Sequence, residues 1–442
     1  MLQPNNTFVV RRQAPELITP AEPTHRELKL LSDIDDQDEL RCQVRSIHFF
    51  PRNPEMEDKN PATVIREALA RVLVFYYPFA GRLKEGSGRK LMVDCTAEGA
   101  LFIEAEADVT LDEFGESRPH PPFPCLGELL YDVPGSSGIL DSPLLLIQVT
   151  RLLCGGFIFA SRMNHTMCDG QGAAQFLIAL GEIAQGASQP SILPVWQREL
   201  LFARDPPCVK FIHPEYKEKT NPKDSHMKMD DQMTPKTFFF GPSEVSALRR
   251  SVPDDIKNCT TYEVLTASIW RCRTIALEPN PEQEMRFMFA VNARAKLNPP
   301  IPVGYYGNCV VHPCASSTAQ DLSNKPLAHA LQLVRKAKSS VSEEFVRSTI
   351  DVLVIRGRPS YNYDSTYAIS NLTRVGFDEI DFGWGKATYG GPAFGELAYR
   401  PDVFSYYVSS TNSKGESGIM ISLSLPNSTM EKFIKELNKM LM

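Results

Sequence analysis

The sequence lacks the features that mark membrane, secreted and nucleic-acid-binding proteins. No uninterrupted apolar run reaches the roughly 18 residues that a membrane-spanning helix needs, and the first 15 residues contain no apolar core of signal-peptide length. The ten cysteines are scattered without a CxxC pair, which favours reduced thiols. The net charge of −6 is not the basic surplus of a nucleic-acid binder. We therefore expect a cytoplasmic protein with no membrane or nucleic-acid partner.

Several catalytic signatures are missing as well. The chain contains no G-x-S-x-G nucleophile elbow, no Walker loop, no dinucleotide fingerprint and no H-E-x-x-H motif. Serine hydrolysis, phosphoryl transfer, hydride transfer and zinc hydrolysis therefore have no support from the sequence. No residues have the spacing of metal ligands, so we predict no metal site.

The composition is that of a globular protein of more than one domain. Of 442 residues, 43% are hydrophobic and 23% charged, and a chain of this length exceeds one ordinary core. Residues 187–235 are rich in proline and charge and keep no period, which is typical of a linker. We predict an N-terminal domain over 1–186, a crossover linker over 187–235 and a C-terminal domain over 236–442.

The first half alternates strand and helix patterns. Residues 143–165 hold two runs of strand formers around a glycine pair, which predicts a hairpin whose second strand ends at His165. After Asp169 the apolar residues recur at helical spacing, and Gly186 is a plausible stop. His165 is therefore predicted to lie at a buried strand-to-helix junction.

The second half has a similar mixture. Residues 237–241 predict a strand, and Thr260 with Glu263 forms a capping box before a long apolar helix. Ser428 and Glu431 suggest a second capping box before the last helix. Strands and helices in both halves, with few obligatory parallel crossovers, predict two mixed α/β domains.

His165 and Asp169 lie in the stretch NHTMCDG, and the residues leave several roles open. A neutral imidazole can remove a proton from a hydroxyl near pH 7. Asp169 can accept a ring N–H from it, or it can turn away and pair with an arginine. A buried structural histidine beside a helix-capping aspartate is the plainer alternative. The same spacing recurs at His226 and Asp230, which we attribute to the composition of the linker.

A second unusual stretch reads DFGWG, at residues 381–385. Glycines on both sides of Trp384, one of three tryptophans in the chain, predict a tight and well-defined loop. We expect Asp381 to stabilise this loop by pairing with a basic residue.

Together these two stretches resemble the BAHD superfamily of plant acyl-CoA-dependent acyltransferases, whose motifs are His-x-x-x-Asp-Gly and Asp-Phe-Gly-Trp-Gly. The order of the motifs, about 210 residues apart, matches. The resemblance extends over the chain through YYPFAGRL (76–83), QVTRLLCGGF (148–157) and NPPIPVGYYGN (298–308). Non-ribosomal peptide condensation domains begin their motif with two histidines, whereas this chain has Asn164 at the first of these positions.

The resemblance implies two α/β domains of the chloramphenicol-acetyltransferase-like fold, with a channel at the domain interface. It makes His165 the general base that deprotonates the acceptor hydroxyl for attack on the thioester, without a covalent acyl-enzyme. It implies that Asp169 points away from the channel and pairs with an arginine, for which Arg294 is the candidate. It places Asp381 and Trp384 in a loop away from the reacting atoms.

The resemblance also implies residues that help hold the oxyanion, and here the sequence departs from some relatives. They carry Thr-Ser-Trp where this chain has Ser370, Asn371 and Leu372. Because the tryptophan is missing, the oxyanion must be stabilised by Ser370, a backbone N–H or water. Ser370, Asn371 and Arg294 are our candidates for contacts to the co-substrate. No permanently bound cofactor is expected.

Within the superfamily, the chain looks like the alcohol acyltransferases that make volatile esters, including benzyl alcohol benzoyltransferases. The expected substrates are a small acyl-CoA, such as acetyl- or benzoyl-CoA, and a primary alcohol such as benzyl alcohol or hexenol. One alternative is a larger alkaloid or terpenoid alcohol, or an amine, as acceptor. Another is a non-catalytic relative that binds CoA esters. The family norm predicts a monomer.

Overall fold

The architecture is that of two mixed α/β units built around separate sheets. A computed structural model describes residues 8–115, 118–216, 233–394 and 400–442. Among these residues no helix combines the length and the apolar character that crossing a membrane requires. The mixed α/β class predicted from the sequence is confirmed.

The helices of the described residues are α1 Pro61–Phe75, α2 Leu126–Leu129, α3 Gly170–Ala184, α4 Pro242–Arg250, α5 Thr261–Leu277, α6 Ala319–Asn324, α7 Leu327–Ser339, α8 Glu343–Ile355 and α9 Asn427–Leu441. The strands of the first half are β1 Val10–Arg12, β2 Glu16–Ile18, β3 Leu28–Leu30, β4 Gln43–Phe50, β5 Arg82–Glu85, β6 Leu91–Asp94, β7 Ala100–Ala107, β8 Leu145–Leu152 and β9 Phe157–Asn164. The strands of the second half are β10 Met233–Phe240, β11 Glu284–Phe289, β12 Val291–Asn292, β13 Val310–Val311, β14 Cys314–Thr318, β15 Thr366–Asn371, β16 Tyr389–Pro392, β17 Phe404–Thr411 and β18 Ser417–Pro426.

The first sheet is built around the predicted hairpin. Its strands follow the order β1-β7-β8-β9-β4-β16, with β2 also paired to β7. Side chains alternate along β9, so Phe157 and Phe159 join the core under α1 and α3, whereas Ile158 and Ala160 face the opposite core. This alternation buries both faces of the strand that ends at the candidate histidine.

The second sheet has the order β10-β18-β17-β15-β11-β14, with α5, α7 and α9 over one face. The helix α5 begins with the predicted capping box of Thr260 and Glu263. The capping box predicted at Ser428 is wrong, because β18 runs directly into α9 through Pro426 and Ser428 already lies in the first turn. Pro235 is tolerated in β10 because this strand forms an edge of the sheet.

One segment of the C-terminal half packs with the N-terminal half. The short strand β16 pairs antiparallel with β4, and Phe382 and Trp384 lie in the core beneath α1 and α3. Residues 377–392 belong to the predicted C-terminal domain but pack with the N-terminal half. The domain boundaries at 186 and 236 remain a prediction. This segment packs with the first unit because its apolar side chains are buried in the core of that unit.

Candidate active site

The candidate histidine lies where β9 ends and α3 begins. The backbone N–H of His165 continues the pairing with β4 by donating to the carbonyl of Cys42, at 2.9 Å. The side chain of Asn164 closes the following turn by accepting from the N–H and the hydroxyl of Thr166, at 3.1 and 2.7 Å. The hairpin, the junction and the helix predicted from the sequence are thus all present.

One ring nitrogen of His165 is held by a hydrogen bond, and the other has no hydrogen-bond partner among the described residues. Its Nδ1 lies 3.1 Å from the carbonyl oxygen of Cys168. A carbonyl can only accept, so Nδ1 carries a proton, and in the neutral ring Nε2 has the lone pair. The half-buried ring borders a cavity of about 260 Å³ between the two sheets. The geometry therefore leaves Nε2 as the ring nitrogen available to a molecule in this cavity.

Asp169 points away from that imidazole. Its Oδ1 accepts from the N–H of Gly172 at 3.0 Å, which caps α3, and its Oδ2 accepts from the N–H of Cys309 at 3.0 Å. Arg294 donates to both carboxylate oxygens, at 2.8 and 3.0 Å. The sequence left two arrangements open for Asp169, and the structure contains the pair with an arginine. The ring N–H of His165 donates to the backbone carbonyl of Cys168 instead of to a carboxylate.

Arg294 is held firmly by this pair. Its second terminal nitrogen also donates to the carbonyl of Gly307 at 2.7 Å. Burial by itself lowers the pKa of Arg294, but the charge and hydrogen bonds of Asp169 outweigh it and raise the pKa above its ordinary value. Arg294 also borders the cavity. Its terminal nitrogens already donate to Asp169 and to the carbonyl of Gly307, and a contact with acyl-CoA remains a prediction.

Three further buried residues hold the loop of His165, and none of them belongs to a recognisable catalytic motif. The side-chain nitrogen of Asn308 donates to the carbonyl of His165 at 2.7 Å and to Asp35 at 2.9 Å. Arg198 pairs with Asp35 at 3.2 Å and donates to the carbonyl of Met167 at 2.8 Å. Asp35 and Arg198 are 0% exposed, so this ion pair is sealed from solvent. No local pattern indicated that these segments meet.

Asp381 stabilises its loop in a different way from the one predicted. Its Oδ1 accepts from the N–H groups of Gly383 and Gly385, at 2.7 and 2.9 Å, and among the described residues it forms no ion pair. The basic partner expected from the sequence is not found within the described ranges. Both glycines have positive φ, +103° and +91°, which turns their N–H groups toward the carboxylate.

The same loop is docked on α3, away from the cavity. A Cβ on Gly181 would lie 2.4 Å from the carbonyl oxygen of Asp381, so the helix needs glycine at this point. Gln185 donates to that oxygen at 2.8 Å, and the ring of Trp384 meets the edge of Phe157 at 5.3 Å. Asp381 does not line the cavity. This placement agrees with a structural loop remote from the reacting atoms.

The end of β15 forms another part of the cavity wall. Ser370, Asn371 and Leu372 all border the cavity. The side-chain oxygen of Asn371 accepts from the N–H and hydroxyl of Thr373, at 3.1 and 2.7 Å. The Leu372 side chain lies 3.1 Å from the position that a Cβ on Gly170 would occupy, against the first turn of α3. Contacts of Ser370 and Asn371 to acyl-CoA remain predictions.

A second histidine, His312, borders the same cavity and was not singled out from the sequence. Burial, followed by the charge of His165, lowers its pKa to about 4. It is therefore neutral at pH 7 and has a ring nitrogen near the candidate base. No motif contains it, so only the tertiary arrangement identifies it.

A third histidine forms an arrangement that resembles a catalytic triad but is sealed. His213 lies 2.9 Å from both Ser348 and Glu215, and all three residues are buried. The Ser348 oxygen also accepts from the backbone N–H groups of residues 210 and 211, at 3.0 and 3.2 Å. None of the three lines the cavity. The cluster ties the crossover segment to α8 and supplies no accessible nucleophile.

Two other sequence predictions concern a metal and the alternative motif. Within the described ranges, no group of histidine, cysteine and acidic side chains has the geometry of a metal site. His226 and Asp230 lie outside the described residues.

Comparison with known protein families and sequences gives a consistent result. A family model described as the Transferase family matches residues 8–440. A benzyl alcohol O-benzoyltransferase from Petunia hybrida is 58% identical over 98% of this chain and 94% of its own length. A 13-hydroxylupanine O-tigloyltransferase from Lupinus albus is 55% identical, again over 98% of this chain and 94% of its own length.

Solved structures share the fold at low sequence identity. Vinorine synthase superposes with a TM-score of 0.73 at 20% identity and covers 98% of both chains. The F. sporotrichioides protein TRI101, complexed with coenzyme A and T-2, has a TM-score of 0.71 at 18% identity, and the match covers 93% of this chain and 98% of that one. At such identities the likeness extends to the fold.

Proposed function

We propose a function on the premise that this chain belongs to the Transferase family, the BAHD acyltransferases. The chain is an acyl-CoA-dependent alcohol O-acyltransferase. The finer proposal is that it transfers a small acyl group, benzoyl or acetyl, from acyl-CoA to a primary alcohol such as benzyl alcohol or hexenol. The 58% identity to a benzyl alcohol O-benzoyltransferase over nearly the whole chain supports this choice.

The proposed chemistry rests on one observation: the ring of His165 borders the cavity and is held through Nδ1–H, which leaves Nε2 available to the substrate. Nε2 accepts the proton of the alcohol hydroxyl as the oxygen attacks the thioester carbonyl, which is general-base catalysis. The tetrahedral oxyanion then collapses, the C–S bond breaks, and the imidazolium returns its proton to the leaving thiolate. The products are the ester and free CoA, and no acyl group is attached to the protein.

The carbonyl of Cys168 assists this cycle. It holds Nδ1–H in both protonation states of His165, so the ring does not rotate when Nε2 gains a proton. Asp169 and Arg294 support the same loop from the other side, with two backbone N–H groups as further partners of the carboxylate. Their proposed role is structural, because the carboxylate does not contact the imidazole.

The cavity favours a small acceptor. Its volume of about 260 Å³ lies below the roughly 300–1,000 Å³ typical of pockets for drug-sized ligands. Ile34, Leu40, Met163 and Phe404 contribute apolar wall, which suits an aromatic or aliphatic alcohol. The alternative of a larger alkaloid alcohol is supported by the 55% identity to a tigloyltransferase named for a hydroxylated alkaloid. Both acceptors use the same base.

We further propose that the protein acts as a cytoplasmic monomer that uses acyl-CoA as a co-substrate and keeps no resident cofactor. All ten cysteines fall in described residues and each is a free thiol, which fits a reducing compartment. The fold shared with a structure complexed with coenzyme A supports the choice of co-substrate. Size-exclusion chromatography with light scattering tests the oligomeric state, and a mass of two chains would contradict it.

The test is release of free CoA thiol by the purified protein. Acetyl-CoA and benzoyl-CoA are each offered with benzyl alcohol, hexenol or a bulky alkaloid alcohol. We expect acceptor-dependent release that His165→Ala lowers by at least 100-fold, since a general base contributes on the order of 10²–10⁴-fold. His226→Ala makes the same chemical change in the second motif and should retain activity.

The outcomes separate the alternatives. Activity of His165→Ala within a few-fold of the parent protein would overturn the assignment of the base. Release with the alkaloid alcohol alone would select the larger acceptor. Measurable CoA binding without release for any pair would favour the non-catalytic alternative.

A further inference from the structure

The cavity contains a second imidazole whose role the acyl-transfer reaction does not explain. His312 follows β13 and borders the cavity that His165 also borders. The same stretch of chain carries Asn308, whose side chain donates to the carbonyl of His165 at 2.7 Å. A hydrogen bond therefore ties the segment of His312 to the loop of His165, and both side chains border one cavity.

A chain of hydrogen bonds runs from His312 through Tyr361 to Gln37. The amide nitrogen of Gln37 donates to the carbonyl of Ile34 at 2.7 Å, so the amide oxygen of Gln37 faces the tyrosines. That oxygen can only accept. The hydroxyl of Tyr361 lies 3.1 Å from it and that of Tyr216 lies 3.4 Å from it, and we assign Tyr361 as a donor to it because its contact is the shorter. The Tyr361 oxygen then has no hydrogen left for His312, whose Nδ1 lies 2.8 Å away. With this assignment Nδ1 is the donor, and it carries the ring proton.

This chain of donors leaves Nε2 of His312 with a lone pair. Nε2 has no hydrogen-bond partner among the described residues and is not sealed from the cavity. Burial and the charge of His165 lower the pKa of His312 to about 4. During turnover the proton taken up by His165 disfavours a second charge nearby. His312 is therefore a neutral hydrogen-bond acceptor throughout the reaction and not a second base.

A monohydric alcohol cannot satisfy both histidines. Its hydroxyl has one hydrogen, and the proposed reaction directs that hydrogen to Nε2 of His165. A buried acceptor without a partner costs free energy, so the lone pair of His312 favours a molecule that brings another donor. A second hydroxyl or an N–H group on the acceptor substrate supplies one.

We propose that His312 determines acceptor specificity by accepting a hydrogen bond from a second donor group of the alcohol substrate. The preferred class is then a primary alcohol that also carries a hydroxyl or an N–H, such as a hydroxybenzyl alcohol. This inference rests on the proposed acyltransferase function. It predicts which alcohols are used best, and it assigns His312 to binding rather than to bond making.

The test compares pairs of alcohols that differ in one hydrogen-bond donor. The 2-, 3- and 4-hydroxybenzyl alcohols are each measured against the methoxybenzyl alcohol of the same substitution, with products identified by mass spectrometry as esters of the CH₂OH group. At least one hydroxy isomer should have a kcat/KM higher than its methoxy partner by on the order of tenfold, mainly through KM. Methylation removes the donor and keeps the oxygen.

Variants connect this ratio to one side chain. H312F should reduce the hydroxy-to-methoxy ratio to about one, and H312Q, which retains an acceptor oxygen, should recover part of it. Tyr361→Phe keeps the histidine but removes the oxygen that holds Nδ1–H, so it should also reduce the ratio. His120→Phe, at an exposed histidine, is the matched control and should leave the ratio unchanged.

Two results would overturn the proposal. One is a ratio near one for all three isomers in the parent protein, as expected if bound water satisfies Nε2 with every substrate. The other is a high ratio that persists in H312F and in Tyr361→Phe. If no alcohol is turned over, the proposed function fails instead, and calorimetric Kd values for the same pairs decide the role of His312. Equal Kd values for each pair would then reject it.

Discussion

Replacing Asp169 with asparagine distinguishes a structural role for this residue from a catalytic one. The substitution keeps the shape of the side chain and removes its charge. In the native protein, the carboxylate is 4% exposed and accepts from Arg294 and from two backbone N–H groups. The variant leaves the guanidinium of Arg294 without its counter-charge in a largely buried place.

The expected loss in the free energy of unfolding is about 3 kcal/mol. Breaking a buried ion pair by removing one partner costs about 3–5 kcal/mol. The lower end applies because the side chain of Arg294 is 11% exposed and can regain some hydration through the cavity. Asparagine also keeps one acceptor oxygen, so the cap on the N–H of Gly172 can survive.

Urea denaturation and steady-state kinetics measure the two roles separately. Asp381→Asn is the matched control, since that carboxylate accepts two N–H groups and has no ion pair within the described part of the chain. This variant should lose about 1 kcal/mol in the free energy of unfolding. Adding Arg294→Met to Asp169→Asn should restore about 2 kcal/mol relative to the sum of the single changes, because the unpaired charge is gone. Unchanged stability of Asp169→Asn with lost turnover at a temperature where it is folded would refute this reasoning.

Two further predictions concern groups outside the reaction. Burial lowers the pKa of His48 to about 3, and neither ring nitrogen has a partner among the described residues. Below pH 6.5 the histidine is therefore protonated in the unfolded chain and stays neutral in the folded protein. As the pH falls, the free energy of unfolding decreases by up to about 1.4 kcal/mol per pH unit. His48→Leu should raise stability at pH 7 and flatten this acid dependence in urea titrations at pH 5 to 7, and an identical slope in the variant would contradict the assignment. Gly181→Ala should lower the free energy of unfolding by about 1–3 kcal/mol and lower the Tm, because its new Cβ would lie 2.4 Å from a backbone oxygen of the Asp381 loop. Gly127→Ala, with nothing within 4 Å of the new Cβ, is the control, and equal Tm values for the two variants would show that the loop is free to move.

Local patterns were sufficient to predict the elements that present the candidate base. Two runs of strand formers around a glycine pair gave the hairpin of β8 and β9, and the change of period after Asp169 gave α3. These predictions succeeded because strand alternation and helical spacing depend on neighbours a few residues away. β10 already includes Met233, four residues before the predicted strand, because it pairs there with β18, and pairing partners cannot be read from a local pattern.

The sequence by itself therefore determined the kinds of elements, the junction at His165 and the motifs by which the family is recognised. The tertiary structure decided where the polar groups point. Asp169 pairs with an arginine 125 residues away, Asp381 accepts from its own glycines, and His312 has a tyrosine 49 residues away as its hydrogen-bond partner. A buried polar side chain must take whichever partner the packed fold brings within about 3 Å, and that partner is defined by contacts between distant segments rather than by neighbours in the chain.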